Sequence, residues 1–110
     1  MNEEEHLKLK RRIGQIASGM IDGNINYLAG ALELLSLRDE VGAYANDPDF
    51  LAFVAVAAEI NNLPGELSRI PWSKSALKKH ETEIQQSIAW AKEFSLENCK
   101  SLAKRFGYNQ

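Results

Sequence analysis

Apolar residues recur along most of this chain at the spacing that places side chains on one face of an α-helix. Near the N-terminus, four of them follow one another at intervals of four, three and four positions: Leu9, Ile13, Ile16 and Met20. This stripe predicts a first amphipathic helix from about Glu4 to Ile21. The polar turn at residues 22–24 predicts its end.

A second helical stripe follows this turn. Either Asn24 or Asn26 can serve as its N-cap, because a side-chain oxygen can accept hydrogen bonds from the first free backbone N–H groups. We expect the helix to reach about Arg38, and the pattern allows a continuation to Tyr44. The stripe consists of Leu28, Ala31, Leu32, Leu35 and Val41.

The clearest helix start is the sequence Asn-Asp-Pro-Asp at residues 46–49. Asp47 can act as N-cap, and Pro48 suits the first helical position because its missing N–H would have no partner there. The apolar segment that follows, residues 50–58, fits a buried helix or a central strand, and periodicity alone does not separate the two. Its four alanines favour the helix.

A long final helix is predicted after Trp72. Ser73 has the features of its N-cap, and Gly107 is expected at its C-terminal end. The apolar stripe slips by one residue at Ser95, which predicts a kink or a restart near Ser95-Leu96-Glu97. The stripe consists of Leu77, Ile84, Ile88, Ala91, Leu96, Cys99, Ala103 and Phe106.

These elements predict an all-α, single-domain bundle of four or five helices over residues 1–110. An α+β fold with residues 50–58 as a strand is the alternative. A chain of 110 residues and 12.3 kDa is long enough for one hydrophobic core. Its longest apolar run is far shorter than the roughly 20 residues that span a bilayer, and its N-terminal segment is charged where a secretory signal would be apolar. We therefore expect a cytoplasmic protein with no membrane segment.

Sequence motifs for metal binding or catalysis are incomplete. The window Asp22–Glu33 places oxygen-bearing side chains at calcium-loop spacing, but Tyr27 occupies the sixth position, where such loops need glycine. His80-Glu81 opens like a zinc-protease motif, yet the second histidine is replaced by Ile84. Cys99 lies on an apolar stripe, as a packed thiol would. We expect no metal, no cofactor and no enzymatic activity.

Charge is distributed unevenly along the chain. Residues 1–21 carry a net charge of +1, residues 22–68 carry −7, and residues 69–110 carry +4, which together give the net charge of −2. If the acidic segments cluster in space, they would attract a basic partner; otherwise they keep the surface solvated. The overall acidity argues against direct binding of nucleic acid.

A set of residues spread over about positions 13–106 carries a resemblance to a known family. These residues are Gly23, Ala29-Gly30-Ala31, Glu33-Leu34, Leu37-Arg38, Asp47-Pro48-Asp49-Phe50-Leu51, Phe53-Val54, Glu59, Leu63-Pro64 and Trp72. In these features the chain resembles a family of small bacterial helical proteins encoded beside polymorphic toxins, and it is similar in size and acidity to immunity proteins of contact-dependent growth inhibition systems. In that family the segment after Phe50 is richer in β-branched residues, which keeps the strand alternative open.

The resemblance implies a protein that binds and neutralises a cognate toxin, often a nuclease with a basic substrate groove. We expect a monomer that forms a one-to-one complex through an acidic face, which would favour fast association. A non-catalytic subunit that self-associates through the flank of Trp90 and Phe94 is the alternative. The residues predicted to bind the partner are Asp39, Glu40, Asp47, Asp49, Glu66 and Trp72.

Overall fold

The structure, a computed structural model, describes residues 3–63, 65–68 and 72–107. No strand occurs in these ranges, so the all-α prediction is confirmed and the α+β alternative is wrong. The elements are α1 (Glu3–Asp22), α2 (Tyr27–Val41), α3 (Pro48–Asn61), a 3₁₀ helix (Gly65–Ser68), α4 (Lys74–Lys79) and α5 (Glu81–Phe106).

The first two helices begin and end close to their predicted positions. Of the two candidate caps for α2, the structure selects Asn26, whose Oδ1 accepts hydrogen bonds from the backbone N–H of Leu28 at 2.9 Å and of Ala29 at 2.7 Å. Helix α2 ends at Gly42, which adopts a left-handed conformation with a φ of 77°. Glycine adopts this conformation without steric cost, so the helix stops before Tyr44.

Helix α3 begins as the sequence predicts. Asp47 caps it by accepting the N–H of Asp49 at 3.0 Å, and Pro48 occupies its first position. The segment 50–58 is helical, and its two phenylalanines, Phe50 and Phe53, are fully buried. Pro64, one of the residues that carry the family resemblance, lies outside the described residues.

The last part of the chain forms two helices where one was predicted. Ser73 caps α4 through its Oγ, which accepts the N–H of Ala76 at 3.1 Å, but α4 ends after six residues and α5 starts after His80. The predicted restart near Ser95 is wrong, because α5 continues through this residue. The buried Ser95 hydroxyl donates to the carbonyl of Ala91 at 2.6 Å, so its hydrogen-bonding need is met inside the helix.

Four helices enclose the core, and α4 packs against α5 outside them. Helices α1 and α3 each contact both α2 and α5. A Cβ atom at Gly14 of α1 would overlap the backbone carbonyl of Phe106, so glycine allows α1 to approach the end of α5. No helix in the described ranges is long and apolar enough to span a membrane.

Candidate partner-binding surface

The six residues predicted to bind a partner lie at two ends of the bundle. Asp39 and Glu40 are in the last turn of α2, and Asp47 and Asp49 begin α3 after a short loop. Trp72 follows the other end of α3, which has 14 residues and is therefore about 20 Å long. The side chain of Glu66 lies outside the described part of the structure. The structure therefore does not bring the predicted residues into one continuous face.

Asp47 and Asp49 bind α5. Arg105 Nη2 lies 2.7 Å from Asp47 Oδ2, and its Nη1 lies 2.9 Å from Asp47 Oδ1 and from Asp49 Oδ2. Asn98 donates to Asp49 Oδ1 at 3.1 Å, and Ser101 donates to Asp49 Oδ2. These contacts join the beginning of α3 to the end of α5, so we call the five residues the α3–α5 polar cluster.

The two carboxylates of this cluster are largely hidden from solvent. Their side chains are 14% and 18% exposed, while that of Arg105 is 35% exposed. Hydrogen bonds from Arg105 hold the pKa of Asp47 below its ordinary value of 3.8. Asp47 and Asp49 therefore contribute to the stability of the fold and leave little charge for a partner.

Replacing Asp47 by asparagine tests this structural role. Asparagine is an equally good N-cap, so Asp47→Asn removes the charge and keeps the cap. We expect the free energy of unfolding at neutral pH to fall by about 1–2 kcal/mol, through weakening of a charge-assisted pair that is partly exposed. Because the pKa of folded Asp47 is lowered, its stabilisation is present above the unfolded value of 3.8 and is lost as pH falls through the folded value.

Urea unfolding of both proteins at a series of pH values measures this effect. The difference in stability should be largest at neutral pH and shrink in acid. Asp39→Asn is the control, since Asp39 is 71% exposed, and its effect should stay within about 0.5 kcal/mol. A constant difference across the series would contradict the role of the Asp47 charge.

Asp39 and Glu40 remain on the surface. Asp39 Oδ1 lies 3.1 Å from Nη2 of the neighbouring Arg38, a pair exposed enough to contribute little to stability. Glu40 is exposed and has no ion pair within the described ranges. Among the described side chains of the predicted face, these two are the carboxylates that a partner could reach most easily.

Trp72 packs against the protein itself. Its side chain contacts the hydrophobic core, and its indole Nε1 donates to the carbonyl of Leu67 at 2.8 Å. The hydrogen bond fixes the ring over the 3₁₀ helix. Trp72 is therefore half-buried and packs against its own chain. Its contact with a partner stays a prediction.

A different pair of aromatic residues is exposed, on α5. Trp90 and Phe94 stack with their ring centroids 5.2 Å apart and their planes at 16°. They are 39% and 49% exposed. One turn of helix separates them, so they form a single apolar patch on the bundle surface.

A groove of about 400 Å³ lies beside Trp90, between α2, α3 and the first half of α5. Its apolar side is formed by Leu28, Ile60 and Leu63. Glu59 and Glu83 are also in its lining, together with Gln86 and Ser87. No lysine or arginine occurs among the lining residues that the structure describes. The sequence places the two glutamates 24 positions apart, and only the antiparallel pairing of α3 with α5 brings them to one groove.

The described residues offer little for metal or thiol chemistry. No group of three or more histidine, cysteine, aspartate or glutamate side chains among them could hold a metal ion. Burial raises the pKa of Cys99 to about 11, and its thiol donates to the carbonyl of Ala17 at 3.3 Å. The thiol is therefore protonated at neutral pH and packed in the core.

Comparison with known proteins adds no relative. No protein-family model, no curated protein and no solved structure matches the chain.

Proposed function

We propose that this chain is an immunity protein, which neutralises a cognate toxin by forming a stoichiometric complex with it and catalyses no reaction itself. The observation that carries the proposal is the exposed pair Trp90 and Phe94 beside a groove lined by two carboxylates. Aromatic residues are enriched among those that dominate binding energy at protein interfaces. We infer that the partner is a toxin from the resemblance to helical proteins encoded beside toxins.

The proposed toxin is basic and nuclease-like. Glu40 and Glu59 are exposed and have no ion pair in the described ranges, and Asp39 is the most exposed member of its pair with Arg38. Such carboxylates attract a basic surface and raise the association rate, whereas buried aromatic contacts chiefly slow dissociation. In this proposal Asp39 and Glu40 assist the encounter, and Trp90 and Phe94 hold the complex.

Growth of cells that express the protein encoded immediately upstream of this chain, as the proposed toxin, tests the proposal. Co-expression of the wild-type protein should restore growth. A variant carrying Trp90→Ala and Phe94→Ala should lose protection by at least about tenfold in survival, because such residues each contribute 2 kcal/mol or more to binding when buried at an interface.

A matched control is Lys92→Ala, an exposed change on the same helix between the two aromatic residues. This variant should protect as well as the wild type. Far-ultraviolet circular dichroism should show both variants folded, since the aromatic pair lies on the surface. Growth arrest despite abundant folded wild-type protein would reject the immunity function.

Self-association through the same aromatic pair is a second candidate. It is favoured by the exposure of Trp90 and Phe94 on one helix face, which a second copy could cover. Light scattering over a range of concentrations separates the two candidates. A dimer that dissociates on dilution, and that Trp90→Ala abolishes, would support self-association.

A further inference from the structure

The groove between α2, α3 and α5 combines an apolar side with negative charge. Leu28, Ile60 and Leu63 line it, and the Trp90 ring lies along it. Ile60 and Leu28 belong to the core, so this side of the groove is continuous with the packed interior. A ligand with an aliphatic portion can lie against such a surface and remove apolar area from water.

The charge comes from two helices. Glu59 extends from α3 and has no ion pair in the described ranges, whereas Oε1 of Glu83, on α5, lies 3.3 Å from Nδ1 of His80. Among the described residues, no lysine or arginine lines the groove to neutralise these carboxylates. The groove therefore favours a cation over a neutral or anionic group.

The remaining lining decides which kind of cation fits. Calcium takes six to eight oxygen ligands, and magnesium keeps an octahedral shell of oxygens. Beside its carboxylates, the described lining of this groove offers the side-chain oxygens of Gln86 and Ser87, opposite three aliphatic residues. An organic cation on an aliphatic stem fits both the aliphatic side and the carboxylates of the groove. A hydrated metal ion fits the carboxylates alone.

We propose that the groove binds a lysine or arginine side chain of a partner protein. The aliphatic stem lies along Ile60 and Leu63, the cationic end interacts with Glu59 and Glu83, and the Trp90 ring adds a cation–π contact. The inference deepens the proposed function and rests on it for the identity of the partner, a basic toxin. The groove itself is testable without the toxin.

Nuclear magnetic resonance titration with N-acetyl-arginine amide tests the groove directly. Millimolar probe should shift the indole resonance of Trp90, identified by its absence from a Trp90→Phe variant, and leave that of Trp72 unchanged. N-acetyl-citrulline amide has nearly the same shape and no charge, so it should bind at least about tenfold more weakly, the loss expected for a charged hydrogen-bonding partner.

Charge-neutral variants test whether the two glutamates are responsible for binding of the arginine probe. Glu59→Gln combined with Glu83→Gln should weaken arginine-probe binding by about tenfold, and Glu93→Gln, an exposed change on α5 outside the groove lining, should not weaken it. Equal shifts with the charged and neutral probes, or no shift at Trp90, would overturn the inference. Either result would leave growth protection by the wild-type chain intact, whereas a failed protection assay would reject the immunity function and leave the titration unaffected.

Discussion

Replacing Phe53 by alanine should lower the free energy of unfolding by about 3–5 kcal/mol. Phe53 lies in the middle of α3 with no exposed surface, and α3 contacts both α2 and α5. The change removes a large apolar side chain from water-free surroundings and leaves a cavity that rigid helices on several sides cannot close. Because a small domain has only about 5–15 kcal/mol of stability, the loss is a large part of the total.

Leu51→Ala is the matched control in the same helix. Leu51 is 45% exposed, so this variant should change stability by no more than about 0.5 kcal/mol. Chemical denaturation of both variants beside the wild type provides the comparison. Similar losses at the two positions would contradict the assignment of one face of α3 to the core.

Replacing Arg105 by alanine should cost about 2–4 kcal/mol. The change leaves two poorly exposed carboxylates, Asp47 and Asp49, close together without their shared cation. It also removes the guanidinium from the rings of Tyr44 and Phe106, whose centroids lie 5.8 and 5.1 Å from Cζ. This expected loss of stability is smaller than that for breaking a fully buried ion pair, because Arg105 is 35% exposed.

Two comparisons separate these contributions of Arg105. Arg105→Lys keeps the charge but cannot form the two parallel hydrogen bonds to Asp47, so it should recover only part of the lost stability. Lys104→Ala changes an exposed neighbour and should have an effect within about 0.5 kcal/mol. If Arg105→Lys were as stable as the wild type, the geometry of the two parallel hydrogen bonds to Asp47 would have no importance.

Helix boundaries could be predicted where a local sequence signal marks them. The start of α3 depends on Asp47 and Pro48, which act within one turn of the chain. In the structure Asp47 caps the helix and Pro48 occupies its first position, as predicted. The break at His80 has no such signal, because neither glycine nor proline occurs there. At Ser95 the slip of the apolar stripe predicts a restart, but α5 continues there, and the Ser95 hydroxyl donates to the carbonyl of Ala91 one turn earlier.

The candidate surface was harder to predict because it depends on which distant residues meet. Arg105 is 58 positions from Asp47, so a charge count along the chain assigned both aspartates to a free acidic face. An aspartate in the first turn of one helix and an arginine in the last turn of another form such a pair only when the helices are antiparallel. The same argument applies to Glu59 and Glu83, which reach one groove from opposite helices.

The most direct test of the immunity function uses the protein encoded immediately upstream of this chain, as the proposed toxin. The two purified proteins are mixed, and the molar mass of the mixture is measured by light scattering after size-exclusion chromatography in high salt. A single species with the mass of one copy of each chain is expected, and the Trp90→Ala, Phe94→Ala variant should leave the two proteins separate. Two unassociated peaks from wild-type protein and an active, folded toxin domain would contradict the proposed function.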